Sequence, residues 1–179
     1  MYYKSSYTSP LGQIAIVSDD KTIKGVWFSD QRYFGGKYDL QTMMEGETPA
    51  TKQVKNWLDA YFAGENPTLD PNILDPEVTS YRKQILNALI HVPYGQTTSY
   101  KELADQAALN TPGKRGSARA AGGAVGHNPI SILIPCHRVV ATNGALTGYA
   151  GGIDRKIALL ALEGFDQSKL ANRQVYVWR

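Results

Sequence analysis

The chain has 179 residues, 42% of them hydrophobic, with a formal net charge of +3 and an isoelectric point near 8.9. That is enough apolar material for a real core and excludes a disordered chain, while no run approaches the roughly 20 apolar residues of a spanning helix. One cysteine excludes an internal disulfide and a multi-thiolate zinc site, and the mild basicity suits a nucleic-acid partner without requiring one. The opening Met1-Tyr2-Tyr3-Lys4 has no signal-peptide core. The expectation is therefore a cytoplasmic protein with no membrane partner, metal or cofactor.

In residues 1–30, β-prone runs at 2–8, 13–18 and 22–28 are separated by Ser9-Pro10-Leu11-Gly12 and Asp19-Asp20-Lys21, the pattern of an antiparallel meander. Residues 29–48, with Gly35-Gly36, carry no periodicity and read as loop. Over 50–63, Val54, Trp57, Leu58, Tyr61 and Phe62 share one helical stripe, and Gly64 is a natural stop. Pro67, Pro71 and Pro76 then mark a linker. Residues 1–75 are expected to form a small α/β domain with its linker, and residues 76–179 a mainly helical second domain, an α+β chain of two domains.

In the second half, Tyr81, Ile85, Leu86 and Leu89 give an apolar face to a helix over 79–90, which Val92-Pro93-Tyr94-Gly95 ends. Ser99 and Glu102 have capping-box spacing, so a helix starts at Tyr100 and runs to about 108 with Leu103, Ala104 and Ala107 inward. A basic connector containing Lys114 and Arg115 leads to Ser117, which caps a helix over 118–125. This is the outline of a helix-turn-helix, and its second helix is almost bare of side chains. A full helix is about 10 to 12 Å across and the DNA minor groove only about 6 Å wide, so Ala and Gly would let a backbone approach the groove. Close packing inside the protein explains the same composition equally well. Arg119, a long cation on that bare helix, favours DNA.

After the turn signal Asn128-Pro129, the apolar run Ile132-Leu133-Ile134 reads as a buried strand leading to Pro135-Cys136-His137-Arg138-Val139-Val140. A free thiol with a pKa of about 8.5 is mostly protonated at neutral pH, so a nucleophile needs a base or a positive field, and His137 and Arg138 are candidates for both. The commoner fate of a lone cysteine is a small buried hydrophobe. Neighbours on an extended chain point to opposite sides, so Cys136 and His137 would need a bridging water or a sharp turn. A glycine-rich loop over 141–152 follows, able to wrap a flat ligand. Asp154 is then expected to cap a helix over 155–163 with Ile157, Leu160 and Ala161 inward, stopped by Gly164. Glu163 reads first as a solvated helix-end carboxylate and second as an inward partner that orients His137. Residues 174–178 are a candidate strand.

Ile134-Pro135-Cys136-His137-Arg138-Val139-Val140 resembles the active-site signature of the O6-alkylguanine-DNA alkyltransferases, the methylated-DNA-protein-cysteine methyltransferases. The resemblance extends in order through Pro93-Tyr94-Gly95, Ser99-Tyr100, Arg119-Ala120-Ala121-Gly122-Gly123-Ala124, Asn128-Pro129, Gly148-Tyr149-Ala150-Gly151-Gly152, Lys156 and Glu163-Gly164. It covers residues 79–164. The fold it implies is a ribonuclease-H-like N-terminal domain and a winged-helix-like C-terminal domain with a helix-turn-helix.

The resemblance implies that Cys136 takes the alkyl group from O6 of guanine irreversibly, once per molecule. His137 would act as base through a water, Glu163 would orient it, Tyr100 would protonate the departing guanine and Asn128 would brace the turn. Arg119 would enter the duplex where the damaged nucleotide is flipped out, and Ser117, Ala120, Ala121 and Gly122 would face the minor groove, with Lys114 and Arg115 adding phosphate contacts. Tyr149, Ala150, Gly151, Lys156 and Val139 would form the alkylguanine pocket. The partner is double-stranded DNA carrying O6-alkylguanine, with O4-alkylthymine as a second candidate, and the protein is expected to be a monomer.

Three departures stand out. The connector is longer than usual, Tyr81-Arg82 replaces an aromatic followed by glutamine, and Ala150 replaces a serine found in some members. The rivals are a lesion-binding alkyltransferase-like protein, which would lack the cysteine, a helix-turn-helix regulator, and a cysteine hydrolase.

Overall fold

The computed structural model describes residues 1–109 and 116–170. These form two compact units, Met1–Glu77 with Pro129–Ser131, and Val78–Asn128 with the chain from Ile132 onward.

The first unit is built on a meander of β1 (Tyr3–Ser9), β2 (Gly12–Ser18) and β3 (Ile23–Phe28). Its first turn is closed locally: Ser9 Oγ accepts from the Leu11 N–H at 3.1 Å and donates to the Gly12 carbonyl at 2.7 Å. A fourth strand, β4 (Met44–Glu45), pairs parallel with β1, giving the order β3-β2-β1-β4. The expectation of loop throughout 29–48 is thus corrected at these two residues. Such a pairing is too short to show periodicity and is made with a strand some 40 positions away in the chain.

Helix α1 (Pro49–Phe62) starts at Thr48, whose hydroxyl accepts from Thr51 N–H at 3.2 Å. It buries Val54, Leu58 and Tyr61, and Ile14, Ile16, Val26 and Phe28 of the sheet are buried too. Gly25 is required in β3 because the Trp27 indole lies over it: a Cβ there would come within 1.8 Å of that ring. The segment Pro129–Ser131 runs beside β3, with Val26 N–H donating to the Pro129 carbonyl at 2.8 Å and Ser131 N–H to the Val26 carbonyl at 2.9 Å.

The second unit packs α2 (Ser80–Ile90), α3 (Tyr100–Leu109) and α4 (Ala118–Gly126) against one another. Thr79 caps α2, Ser99 caps α3 through Glu102 N–H at 3.1 Å, and Ser117 caps α4 through Ala120 N–H at 3.2 Å. Only half of the expected capping box forms on α3, since the Glu102 carboxylate accepts from Thr98 Oγ1 at 2.9 Å. The short strands β5 (Thr98–Ser99) and β6 (Val139–Val140) pair in parallel. Helix α5 (Ile153–Leu162) packs Ile157 and Leu160 with Val140, Leu146, Phe165 and Leu170.

Two local expectations fail here. The apolar run before the cysteine is a turn, with Ile132 at φ 71°, and Cys136–Arg138 is one turn of 3-10 helix. Its hydrophobicity reflects burial from all sides, which a short apolar run shares with a strand. Helix α5 begins at Gly152, which has φ 94° and no side chain to cap with, and Asp154 lies in the first turn, where its charge faces the positive end of the helix. Residues 110–115 and 174–178, which hold Lys114, Arg115 and the candidate C-terminal strand, fall outside the described residues.

Candidate active site

Cys136 opens the 3-10 turn that feeds β6, so the chain bends sharply at the thiol and His137 instead of running extended. Cys136 N–H donates to the Ile134 carbonyl at 2.8 Å, and Arg138 N–H to the Pro135 carbonyl at 2.9 Å. The same Ile134 carbonyl accepts from Asn128 Nδ2 at 2.9 Å, so a residue eight positions upstream of the thiol fixes the backbone beneath it.

Burial pushes the Cys136 thiol up. The Asn128 amide, the Lys156 ammonium, the cysteine's own N–H and the Tyr149 hydroxyl act the other way and favour thiolate. The positive field on the sulfur therefore comes from Lys156 on α5. Arg138, the candidate for that field from sequence, points elsewhere: its Nε donates to Glu163 Oε1 at 2.8 Å and its Nη1 to the Val92 carbonyl at 2.7 Å, with the guanidinium over the Tyr94 ring.

Glu163 is the hub. Its solvated reading is overturned: the carboxylate is buried, and Oε2 lies 2.5 Å from His137 Nε2 while Oε1 accepts from Arg138 and from Gly95 N–H at 3.0 Å. Burial pushes its carboxyl up, but the charge and hydrogen bonds of His137 and Arg138 outweigh burial and hold it well below the usual carboxylate range. Burial pulls His137 down against the attraction of Glu163, and the nearby Arg138 and Lys156 charges add to burial. The result is an ionised carboxylate and a neutral imidazole. Because the carboxylate can only accept, the ring's proton belongs on Nε2 and its lone pair on Nδ1.

The glycine-rich loop is held by Lys156, a fully buried ammonium donating to the Thr147 carbonyl at 2.9 Å; burial lowers its pKa to about 8. The Tyr149 hydroxyl is buried without a nitrogen or oxygen partner and faces the sulfur. Burial, then the charge of Cys136, raises its pKa well above the ordinary phenol value. Ala150 is half-buried and Gly151 buried in this loop. Tyr100, at the start of α3, joins the loop through its hydroxyl, 2.8 Å from Thr147 Oγ1.

Cys136, His137, Glu163, Asn128, Tyr149 and Lys156 thus converge, with Tyr100 linked through the loop. Val139 is fully buried in β6, directly after the Cys136–Arg138 turn. On α4 the two sequence readings divide by face. Ala121, Ala124 and Val125 are buried and pack inward, which corrects Ala121 as a DNA-facing residue, whereas Ser117, Arg119 and Ala120 are exposed and Gly122 is half-buried against the Tyr100 ring. Arg138, a candidate field for the thiol, serves Glu163 instead, whereas Thr147 was not a candidate and nothing local marks it.

A single thiol beside a neutral imidazole and a buried ammonium, in a helical unit that exposes a helix pared to alanine and glycine, defines a protein that uses one cysteine as a nucleophile. Residues 80–165 match the family model described as the DNA-binding domain of 6-O-methylguanine DNA methyltransferase, and residues 1–75 match its ribonuclease-like domain. The methylated-DNA--protein-cysteine methyltransferase of Mycobacterium tuberculosis is 39% identical over 163 residues, covering 91% of this chain and 93% of its own. That of Methanosarcina acetivorans is 40% identical over 167 residues, covering 92% and 99%. A crystal structure of Mycobacterium tuberculosis OGT in complex with DNA superposes with a TM-score of 0.77 at 38% identity, covering 94% of both chains. The chain belongs to the 6-O-methylguanine DNA methyltransferase family.

Proposed function

We propose that this protein repairs DNA by moving the alkyl group of O6-alkylguanine irreversibly onto Cys136, one transfer per molecule. The observation that carries this reading is the hydrogen bond of His137 Nε2 to an Arg138-neutralised Glu163, which leaves a neutral base next to the chain's sole cysteine. His137 Nδ1 takes the thiol proton through a water, the sulfur attacks the alkyl carbon, and an S–C bond forms as the C–O6 bond breaks. The electron pair stays with guanine, which receives a proton from the Tyr100 phenol. The thioether has no base that could expel it, so the protein is spent.

The α3 and α4 pair acts as the helix-turn-helix of a winged-helix-like domain, residues 76–179, with residues 1–75 as the ribonuclease-H-like partner domain. The exposed Ser117, Arg119 and Ala120 meet the minor groove, and Arg119 fills the space of the flipped nucleotide; unstacking costs a few kcal/mol, which an inserted side chain partly offsets. Tyr149, Ala150 and Gly151 wall the alkylguanine pocket. The site is complete within one chain, which supports action as a monomer, and a reducing compartment such as the cytoplasm suits a thiol that must stay unoxidised.

Incubation with a duplex containing O6-methylguanine, followed by intact mass, tests the proposal. One added methyl on Cys136 is expected, and none in Cys136→Ala. Tight binding to the lesion duplex without mass gain would instead identify a lesion-binding protein that does not repair.

A further inference from the structure

Two hydroxyls far apart in the chain, Tyr100 on α3 and Thr147 in the glycine-rich loop, meet at 2.8 Å. Thr147 also receives the buried Lys156 ammonium on its main-chain carbonyl at 2.9 Å, so the loop that carries its hydroxyl is tied at the same residue. The geometry points to Thr147 as a positioning residue for the proton delivered to guanine: its hydroxyl directs the Tyr100 O–H and then holds the phenolate that remains. This inference rests on the reading of Tyr100 as the proton donor.

Each hydroxyl has one hydrogen to give and two lone pairs to receive, so in a facing pair only one donates to the other. Either order satisfies the pair in the free protein. Once a guanine ring nitrogen accepts from Tyr100, the phenol hydrogen is committed, and Thr147 must be the donor to the phenol oxygen. Both hydrogens then have a single assignment.

As the C–O6 bond breaks, that phenol hydrogen passes to guanine and the Tyr100 oxygen becomes negative. The Thr147 hydroxyl is already donating to it, and the bond becomes charge-assisted, the stronger kind. His137 has gained the thiol proton and Tyr100 has lost one, so the pair carries no net charge, and proton exchange with solvent restores both. Lys156 contributes by keeping the loop in place. Without its acceptor at Thr147 the Lys156 ammonium, itself fully buried, would lose a hydrogen bond, which resists any drift of the loop away from Tyr100.

Thr147→Val keeps the branched shape and removes the hydroxyl. Its rate constant for demethylating an O6-methylguanine duplex at saturating protein should fall roughly 10- to 100-fold, the range for losing a hydrogen bond to a charged group. Thr147→Ser should recover most of the rate. Alkylation of Cys136 by iodoacetamide, whose departing iodide needs no proton, should stay within about two-fold of wild type in Thr147→Val. Equal slowing of both reactions would reduce Thr147 to a support for the loop and overturn the inference, as would a wild-type demethylation rate in Thr147→Val.

Tyr100→Phe separates the two layers of the argument. If Tyr100→Phe alone repairs at the wild-type rate, the donor reading fails and the inference falls with it. If Tyr100→Phe is slow and Thr147→Val slows it again by the same factor, the donor reading stands while Thr147 acts independently of Tyr100, against the inference. Expected instead is a slow Tyr100→Phe protein that Thr147→Val slows no further.

Discussion

Arg138 Nε lies 2.8 Å from Glu163 Oε1, so a guanidinium holds the carboxylate behind His137 by the oxygen that does not face the imidazole. A carboxylate facing an imidazole alone would draw it towards imidazolium, and an imidazolium cannot accept a proton from a thiol. With Arg138 in place, burial and the guanidinium charge together keep His137 neutral. One arginine in the signature thereby protects the basicity of its neighbour.

Replacing Arg138 with methionine should move the acid limb of the pH–rate profile to higher pH. The sign follows from Arg138 lowering the His137 pKa: without it the ring protonates at a higher pH, and the rate begins to fall sooner as the solution is acidified. The same variant should lose about 3 kcal/mol in urea unfolding, because a buried carboxylate and the Val92 carbonyl each lose a partner. An acid limb that stays in place would disconnect Arg138 from the base.

Glu163→Gln keeps the shape and removes the charge. It should slow methyl transfer by well over about ten-fold, since an amide no longer imposes the tautomer with its lone pair on Nδ1. Stability gives an independent check. The Glu163 carboxyl is held below its unfolded value, so its stabilising effect is full above about pH 5 and is lost as pH falls towards the folded pKa. Urea titrations from pH 7 down to pH 3 should therefore show a shallower decline for Glu163→Gln than for wild type.

Lys156 supplies the cationic field on the sulfur, and Lys156→Met should raise the Cys136 pKa measured from the pH dependence of iodoacetamide alkylation. Lys156 itself has a pKa lowered to about 8, so above that value the unfolded chain binds the proton and the folded one does not. Stability attributable to this group rises with pH between about 8 and 10.4, by about 3 kcal/mol, and the methionine variant should lack that rise. Identical stability profiles for the two proteins would contradict the assignment.

Gly95 stands at φ 75° and offers its N–H to Glu163, and a Cβ there would approach the Glu163 carbonyl oxygen to 3.0 Å. Gly95→Ala should lower stability by about 1 to 2 kcal/mol, the penalty for a side chain in the left-handed region, and should slow the transfer through Glu163. Thermal unfolding and single-turnover rates together check both effects.

Much of the helical framework was legible from residues alone. Ser99 and Ser117 each cap the helix that begins after them, and the stripes Val54-Leu58-Tyr61 and Ile85-Leu86-Leu89 are the buried faces. The thiol could be picked out as well, being the chain's one cysteine in a run that resembles a known signature. Other features misled for identifiable reasons. The run before Cys136 is apolar because it is buried, not because it is a strand, and Asp154 stands two residues inside the start that Gly152 makes without a cap.

What the sequence by itself determined was therefore whatever is written within about four residues: caps, turns, helical stripes and the identity of the nucleophile. The inward turn of Glu163 to His137 across 26 positions was one of two readings that the residues left open, and only the tertiary structure decided that Lys156 and not Arg138 polarises the sulfur and that Thr147 meets Tyr100 across 47. Backbone hydrogen bonds and helical periodicity act between near neighbours and leave a local trace. The charge and proton order of this site depend on partners that packing brings together from distant parts of the chain, and no local pattern records that choice.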